Sequence, residues 1–461
     1  MMRMRVLLQR LTPAVALLLG LAAASAANRP IQKLVWDKER HRLEADVRGF
    51  GLGLLLERLA AETGWQVYVE PGTRHTASAK FKNLPPGEGL RLLLGDLNFS
   101  LVPQTNGSPR LYVFRSDVRQ ATRLVRAFRD TGRSRRIPNE LVVQLRDGTD
   151  AQALAARLGA KVIGCIENLR VCRLQFVDAD AADAARAMLV LDEEVTAVDY
   201  NYWIDPPPMP AEATLAASTP SLKLNPPAGE GQIVIGLVDT PVQELCGELN
   251  GFLRAPISVV GQSVAAPASA VPTHATAMAN MMLRSLQTAT RGSTSVQILP
   301  VDVYGANATT TTYDVANGIV AAVNNGANLI NLSLGGPGDS AFLQALIEAV
   351  RARGIPVIAA AGNEPVSTPF YPAAYPGVLA VSAGRGGEIA PYANHGSFVD
   401  VAAPDSDVFC YGGRSYYVRG TSAAAAYVSG LAAGLKEASG QDWDAVQKQI
   451  LDRFGVRSAT R

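Results

Sequence analysis

The chain has 461 residues, 48% of them hydrophobic and 18% charged, enough for two or three domains with proper cores. Its net charge of +2 gives no reason to expect nucleic acid or an acidic membrane surface as the main partner. Residues 1–26 carry Arg3, Arg5 and Arg10, then an apolar run from Ala14 to Ala24, and end in Ala24-Ser25-Ala26. This is the three-part pattern of a secretory signal peptide with an A-x-A cleavage site. A membrane anchor is the alternative, but the run is short for a bilayer span and Pro13 interrupts its start. The expectation is export to the periplasm or beyond, with no span in the mature protein.

The four cysteines, Cys165, Cys172, Cys246 and Cys410, all fall in the exported part. An even count in an oxidising compartment favours disulfides over metal ligation, and no Cys-x-x-Cys or zinc-type Cys/His cluster appears. Cys165 and Cys172 flank 166–171 between strand-like runs and can face each other across a hairpin; small buried thiols are the alternative. A Cys246–Cys410 bridge is expected in the C-terminal part.

Residues 27–115 read as a small α+β domain. Strand-like Leu43 to Arg48 leads into the leucine-rich helical repeat Leu52 to Ala61, closed by Gly64. Trp65 to Val69 and Ala79 to Asn83 are strand-like, Gly89 to Leu94 is helical, and Asn106-Gly107 marks a hairpin turn before Arg110 to Phe114. Asp46-Val47, the helix ending in Thr63-Gly64 and Asn83-Leu84-Pro85 make this stretch similar to the short N-terminal domain of secretins and TonB-dependent receptors. The resemblance implies a module that docks an envelope protein partner. Residues 116–137 are arginine-rich and end in Arg133-Ser-Arg-Arg136, a solvated linker or, alternatively, a processing or docking site.

Residues 138–204 give a second small α+β pattern: strand Glu140 to Arg146, helix Asp150 to Gly159, hairpin Lys161 to Phe176, helix Ala179 to Leu191, strand Thr196 to Trp203. Residues 205–227 form a Pro- and Ala-rich linker containing Pro206-Pro207-Pro208. Any processing is expected in its proline-free stretch Ala211 to Thr219, since a peptide bound as a strand must offer N–H groups that proline lacks.

From 228 to 461, short continuous apolar runs (Ile233 to Val238, Gln297 to Val303, Asn328 to Leu334, Pro356 to Ala361, Val378 to Ser382) alternate with helical periodicity at Asp314 to Asn325 and Ser340 to Arg353. Continuous rather than alternating strands imply a parallel sheet buried on both faces, whose ligands gather at the carboxyl ends of its strands. Asp239 ends the first of these strands. His274 opens a helical pattern with Thr273 as a candidate cap, and Ser422 lies in the first turn of a long alanine-rich helix after Gly420-Thr421. There, unpaired N–H groups and the helix dipole would stabilise negative charge beside the serine. A nucleophilic serine needs a base and a carboxylate that orients the base, and His274 and Asp239 are of those types.

The order Asp, His, Ser, with the signatures Val238-Asp239-Thr240, His274-x-Thr-x-x-Ala and Gly420-Thr-Ser-x-Ala, resembles the subtilisin-like serine peptidases. Asn331 to Gly336 is similar to that family's substrate-binding strand, Val357 to Asn363 to the segment ending in its oxyanion-hole asparagine, and Pro391 to Pro404 to the stretch before its nucleophile. The resemblance implies an α/β fold, a subtilisin-like parallel-sheet three-layer sandwich preceded by the two small α+β domains, the second resembling the family's inhibitory propeptide. It also implies hydrolysis of polypeptides through Asp239, His274 and Ser422, with Asn363 and the Ser422 N–H holding the oxyanion and Ser333, Leu334 and Gly335 pairing with substrate. No cofactor is implied; a structural calcium, common in the family, has no ligand pattern here. Pro241, Ala275 and the pair Ala425-Ala426 depart from the family pattern without removing a reacting group. A non-catalytic adaptor on the same scaffold is the competing reading. An esterase would require the Gly-x-Ser-x-Gly elbow, which is absent around Ser422. His395 beside Gly396 reads as a turn residue, and His41 and His75 have no partner motif.

Overall fold

The computed structural model describes residues 33–104, 108–125, 127, 135–213, 222–227, 229, 232–245, 247–261, 271–290 and 292–456. The expected signal sequence and Asn106-Gly107 turn, Arg133 and Ser134, Cys246 and 214–219 lie outside them. The chain forms two compact units, divided between residues 128 and 129.

The first unit contains β1 (Lys33–Asp37), β2 (Arg42–Gly51), α1 (Leu52–Thr63), β3 (Gln66–Val69), β4 (Thr76–Leu84), α2 (Pro86–Leu94), β5 (Asn98–Val102), β6 (Arg110–Phe114) and β7 (Arg123–Val125). Its strands form two sheets, ordered β1-β2-β4 and β5-β6-β3-β7. The leucines at 52, 55, 56 and 59 bury one face of α1, which stops at Gly64, where φ is 71° and the N–H bonds back to Ala60. The expected linker 116–137 is shorter than its arginines suggest. Glu70 accepts hydrogen bonds from the Arg115 and Ser116 amides, Asp117 caps a 3₁₀ turn, and β7 pairs antiparallel with β3.

The second unit starts with β8 (Arg136–Leu145), α3 (Ala151–Arg157), β9 (Lys161–Ile166), β10 (Val171–Gln175), α4 (Ala179–Leu189) and β11 (Val195–Ile204). Cys172 pairs with Cys165 across the β9–β10 hairpin, and the two form a disulfide. Then come β12 (Ala211–Glu212), β13 (Ile233–Asp239), β14 (Ile257–Ser258), α5 (His274–Ala289), β15 (Val296–Asp302), β16 (Thr310–Thr311), α6 (Thr312–Asn324), β17 (Leu329–Leu332), α7 (Ala341–Ala352), β18 (Val357–Ala360), β19 (Leu379–Arg385) and β20 (Glu388–Ile389). The last elements are β21 (Val401–Ala403), β22 (Ser406–Tyr411), β23 (Arg414–Arg419), α8 (Thr421–Ser439) and α9 (Trp443–Phe454).

The central sheet runs β14-β15-β13-β17-β18-β19, all parallel, with β21 parallel to β19 and β20 antiparallel at the end. Successive residues of β13 serve opposite faces: Ile235 and Leu237 pack toward α5 and α8, Val234 and Val238 toward α6 and α7. This is the buried three-layer arrangement that the continuous apolar runs imply.

The 136–204 sheet, ordered β9-β10-β8-β11, is extended by β16 of the larger domain, which pairs antiparallel with the end of β11. Two residues of β11, spaced by the strand period, reach two helix N-termini. The Asp199 carboxylate accepts from the Ser340 hydroxyl (2.8 Å) and the Phe342 amide (3.1 Å) at α7. The Asn201 carbonyl oxygen accepts from the Thr312 hydroxyl (3.0 Å) and the Tyr313 amide (3.1 Å) at α6. Both thus satisfy donors that a helix start leaves unpaired. Burial pushes the Asp199 carboxyl up, against the lowering effect of these bonds. Asn201→Ala, which strands the Tyr313 N–H and the Glu140 carboxylate bonded to the same side chain, should weaken this docking by about 2 kcal/mol, roughly 30-fold in the undocked fraction. Limited proteolysis of the 136–204 segment in a Ser422→Ala background reads this directly, and an unchanged rate would show that the contact contributes nothing.

Candidate active site

Asp239 stands at the carboxyl end of β13 and is fully buried. Its carboxylate accepts from Nδ1 of His274 at 2.9 and 3.0 Å and from the Thr240 amide at 2.6 Å. His274 is the first residue of α5, and Thr273 caps that helix by accepting from the Thr276 amide. The loop after Asp239 is stitched to the same turn. The Thr273 hydroxyl donates to the Pro241 carbonyl (2.7 Å), Gln243 accepts from the Thr273 amide (2.7 Å), and the Thr240 hydroxyl accepts from the Ala275 amide (3.0 Å). Pro241 therefore contributes through its carbonyl, and its missing N–H leaves this network intact.

Ser422 is the second residue of α8 and is 5% exposed. The helix is capped by Gly420, whose φ of 147° is open to glycine alone among ordinary residues; neither Thr421 nor Ser422 acts as the cap. A Cβ on Gly420 would also lie 3.0 Å from Oδ1 of Asn363. That Oδ1 accepts from the Thr421 amide (2.9 Å) and hydroxyl (3.2 Å). Thr421 in turn accepts from the Gly362 amide (3.1 Å).

The Ser422 hydroxyl donates to the Ser333 carbonyl (3.0 Å), and the Ser333 hydroxyl donates to the Ser422 carbonyl (2.9 Å). Nε2 of His274 is buried with no hydrogen-bond partner. The structure thus joins Asp239 to His274 and Ser422 to Ser333, with the Ser–His link unmade. Leu334 is buried, and Gly335 lies where a Cβ would come within 2.6 Å of the Tyr371 carbonyl. Gly336 exchanges two backbone hydrogen bonds with Tyr371, both 2.8 Å.

Sequence reasoning missed two supports. Asn331 donates to the Ser333 hydroxyl (3.0 Å) and accepts from the Ser429 hydroxyl (2.9 Å), tying β17 to α8 two turns beyond Ser422. Tyr304 is buried at the end of β15, its phenol pushed up by burial and by the charge of Asp239. A polar residue inside an apolar strand run, as Asn331 is, was the available signal.

The His395 amide donates to the Val366 carbonyl beside Gly396, and Nε2 of His75 bonds the Leu93 carbonyl. Among the described residues, no group of three or more His, Cys, Asp or Glu side chains is placed to hold a metal ion. No described helix is long and apolar enough to cross a membrane. Cys410 is disulfide-bonded; the expected Cys246–Cys410 pairing involves Cys246, which lies outside the described residues.

Residues 230–458 match the family model described as the subtilase family, and the chain is 32% identical to thermitase of Thermoactinomyces vulgaris over 220 residues, covering 47% of this chain and 78% of that protein. The chain belongs to the subtilase family. Upstream, residues 125–201 of this subtilase match the fervidolysin N-terminal prodomain. The subtilase is also 37% identical to the thermophilic serine proteinase of Bacillus sp. (strain AK1) over 176 residues, 38% of this chain but only 41% of that protein. Fervidolysin of Fervidobacterium pennivorans, described as a keratinolytic enzyme related to subtilisin, shares the fold at a TM-score of 0.50 and 19% identity. That likeness covers 67% of this chain and 56% of fervidolysin. The α/β architecture expected from the sequence is therefore the subtilisin-like one.

Proposed function

We propose that the chain is an exported serine endopeptidase made as a latent precursor. The observation that carries this reading is the buried Asp239–His274 pair at the start of α5, with a serine in the first turn of α8, the neighbours Ala275 and Ala423 sharing one core, and Asn363 held against the start of α8. In the reaction Ser422 turns from the Ser333 carbonyl to His274, gives its proton to Nε2 and attacks a peptide carbonyl. Asp239 keeps Nδ1 protonated and stabilises the imidazolium. The unpartnered Nε2 is the acceptor this step requires. The developing oxyanion is held by the Ser422 amide and Nδ2 of Asn363, aided by the positive end of α8.

The adaptor alternative is disfavoured by that same buried pair, since an imidazole without a partner on Nε2 serves no packing purpose. Fluorophosphonate labelling that maps to Ser422 is the expected result; a chain freed of its 136–204 segment that still fails to label would refute the reading. Asn363→Ala should lower kcat by about 10²–10³-fold with little change in KM, the usual cost of one oxyanion donor. A loss confined to KM would instead assign Asn363 to substrate binding.

Latency is proposed from the prodomain-like segment and its caps on α6 and α7. Export is proposed from residues 1–26. For the first unit the reading is a partner-docking module, supported by the exposed Leu92 and Leu124.

A further inference from the structure

We propose that Phe370 decides which peptide bonds the site cuts. Its ring closes the crevice beside the attacked carbonyl, so cleavage follows residues with small side chains (glycine, alanine or serine) and excludes aromatic and long ones. The inference rests on the reading of Ser422 as nucleophile and of Ser333 to Gly335 as the substrate-binding strand, and it names the substrate class of that same site.

A carbonyl under attack must lie within reach of both the Ser422 hydroxyl and Nδ2 of Asn363. The Ser422 hydroxyl stands 3.0 Å from the Ser333 carbonyl, and Asn363 is held to the same helix start through Thr421. The residue that carries the carbonyl is therefore lodged between two segments: 333–336, which continues β17, and 361–363, which continues β18. These two strands are paired as far as Leu332 and Ala359. Beyond that point the first segment turns to Tyr371, with which Gly336 exchanges its two hydrogen bonds, while the Gly362 amide donates to the Thr421 hydroxyl. The crevice that opens where they part is the room left for a substrate side chain.

Both walls of the crevice contain a glycine, and each glycine is backed by a side chain. At Gly362, whose φ is 104°, an added Cβ would lie 2.8 Å from Oδ1 of Asn394. Asn394 is buried; its Oδ1 accepts from the Glu364 amide (2.7 Å) and its carbonyl from the Ser382 hydroxyl (2.8 Å). At Gly335, an added Cβ would run into the Phe370 ring, 2.8 Å from its Cδ1. The ring thus stands in the volume that a side chain at 335 would fill. Residues opposite each other across paired strands turn their side chains to the same face, so a substrate laid along 333–335 meets this ring on that face.

The turn that carries Phe370 is fixed from behind. The Phe370 carbonyl accepts from the Ala374 amide (2.9 Å), and the next residue is the Tyr371 bridged to Gly336. The Tyr371 ring packs on Tyr375 with centroids 4.8 Å apart, and the buried Tyr375 donates its hydroxyl to the Ser340 carbonyl (3.0 Å). A large substrate side chain must therefore displace the half-buried ring or force the walls apart. The stretch in which processing is expected has matching chemistry: 211–219 holds four alanines and no aromatic or basic residue.

Two peptide p-nitroanilides that differ only in the residue before the scissile bond, alanine in one and phenylalanine in the other, test this. They are given to the activated chain, with active sites counted by fluorophosphonate. The parent is expected to favour the alanine peptide by at least about tenfold in kcat/KM. Phe370→Gly should raise the phenylalanine-to-alanine ratio at least about 100-fold. Phe370→Leu, which keeps an apolar group on the turn, should shift the ratio the same way by about threefold or more, and it carries the test where the glycine variant does not fold. The ratio does not depend on how much of the enzyme is active, so a merely structural role for the ring leaves it unmoved. A parent that cleaves both peptides equally well overturns the proposal and leaves the peptidase reading standing. So does an active variant that keeps the parent's ratio. A parent that takes up no fluorophosphonate and cleaves neither peptide refutes the peptidase reading, and this assignment falls with it.

Discussion

Ser422→Ala is expected to lower hydrolysis of casein by the activated chain about a millionfold while leaving the fold intact, the usual scale when a nucleophilic serine peptidase loses its serine. The substitution removes only Oγ. The oxyanion donors and the groove remain, so a residual rate of some 10³–10⁴-fold over water is expected to persist. The fold should tolerate the change because the hydroxyl makes one hydrogen bond, to the Ser333 carbonyl, and α8 is capped by Gly420 rather than by the serine. Casein turnover, with active sites counted by fluorophosphonate in the parent, provides the comparison. Activity within tenfold of the parent would mean that another residue attacks.

The second large effect concerns stability. Gly430 faces α5, and a Cβ added there would collide with the Met282 carbonyl and the Ser285 hydroxyl. One turn on, a Cβ at Gly434 would lie 2.6 Å from that of Ala289. Both neighbours of Gly430 are fixed: the Ser285 hydroxyl already donates to the Met282 carbonyl at 2.9 Å, deep in the core. Gly430→Ala gains about 1 kcal/mol of helix propensity, but forcing two rigid helices apart costs about 3 kcal/mol, so packing wins. The net loss of about 2 kcal/mol should lower the unfolding midpoint by roughly 4–8 °C. The measurement belongs in a Ser422→Ala background, free of self-digestion, and an unchanged midpoint would show that the helices can separate freely. Since α5 carries His274 and α8 carries Ser422, the same substitution should also cost activity.

The elements legible in the sequence are those whose own residues determine them. The all-apolar run of β13, the leucine stripe of α1 and the Thr273 cap of α5 needed no knowledge of a partner. The two-residue strands β12 and β16 exist only because β23 and β11 lie beside them, about 200 and 100 residues away in the chain, and no local pattern marks them. The β22–β23 hairpin did carry a signal: Gly412 and Gly413, both at positive φ, form the two-residue turn that matches strand twist. In the arginine-rich stretch after Ser116, charge concealed three strand residues that pair with β3. Of the site, the residue types and their order were readable. The orientation of the Ser422 hydroxyl and the support from Asn331 were not, because both depend on which strand passes beneath α8.

That the capping segment and the enzyme are one covalent chain has a consequence for dose. A tethered inhibitor meets its site at an effective concentration of the order of millimolar, whatever the concentration of the protein. If the 136–204 segment inhibits as proposed, latency of the uncut chain is indifferent to dilution. On that reading, severing the connection at 205–227 would make the same contacts at α6 and α7 a bimolecular association, and dilution alone would then release the enzyme. A single cut would convert a switch set by chain connectivity into one set by concentration.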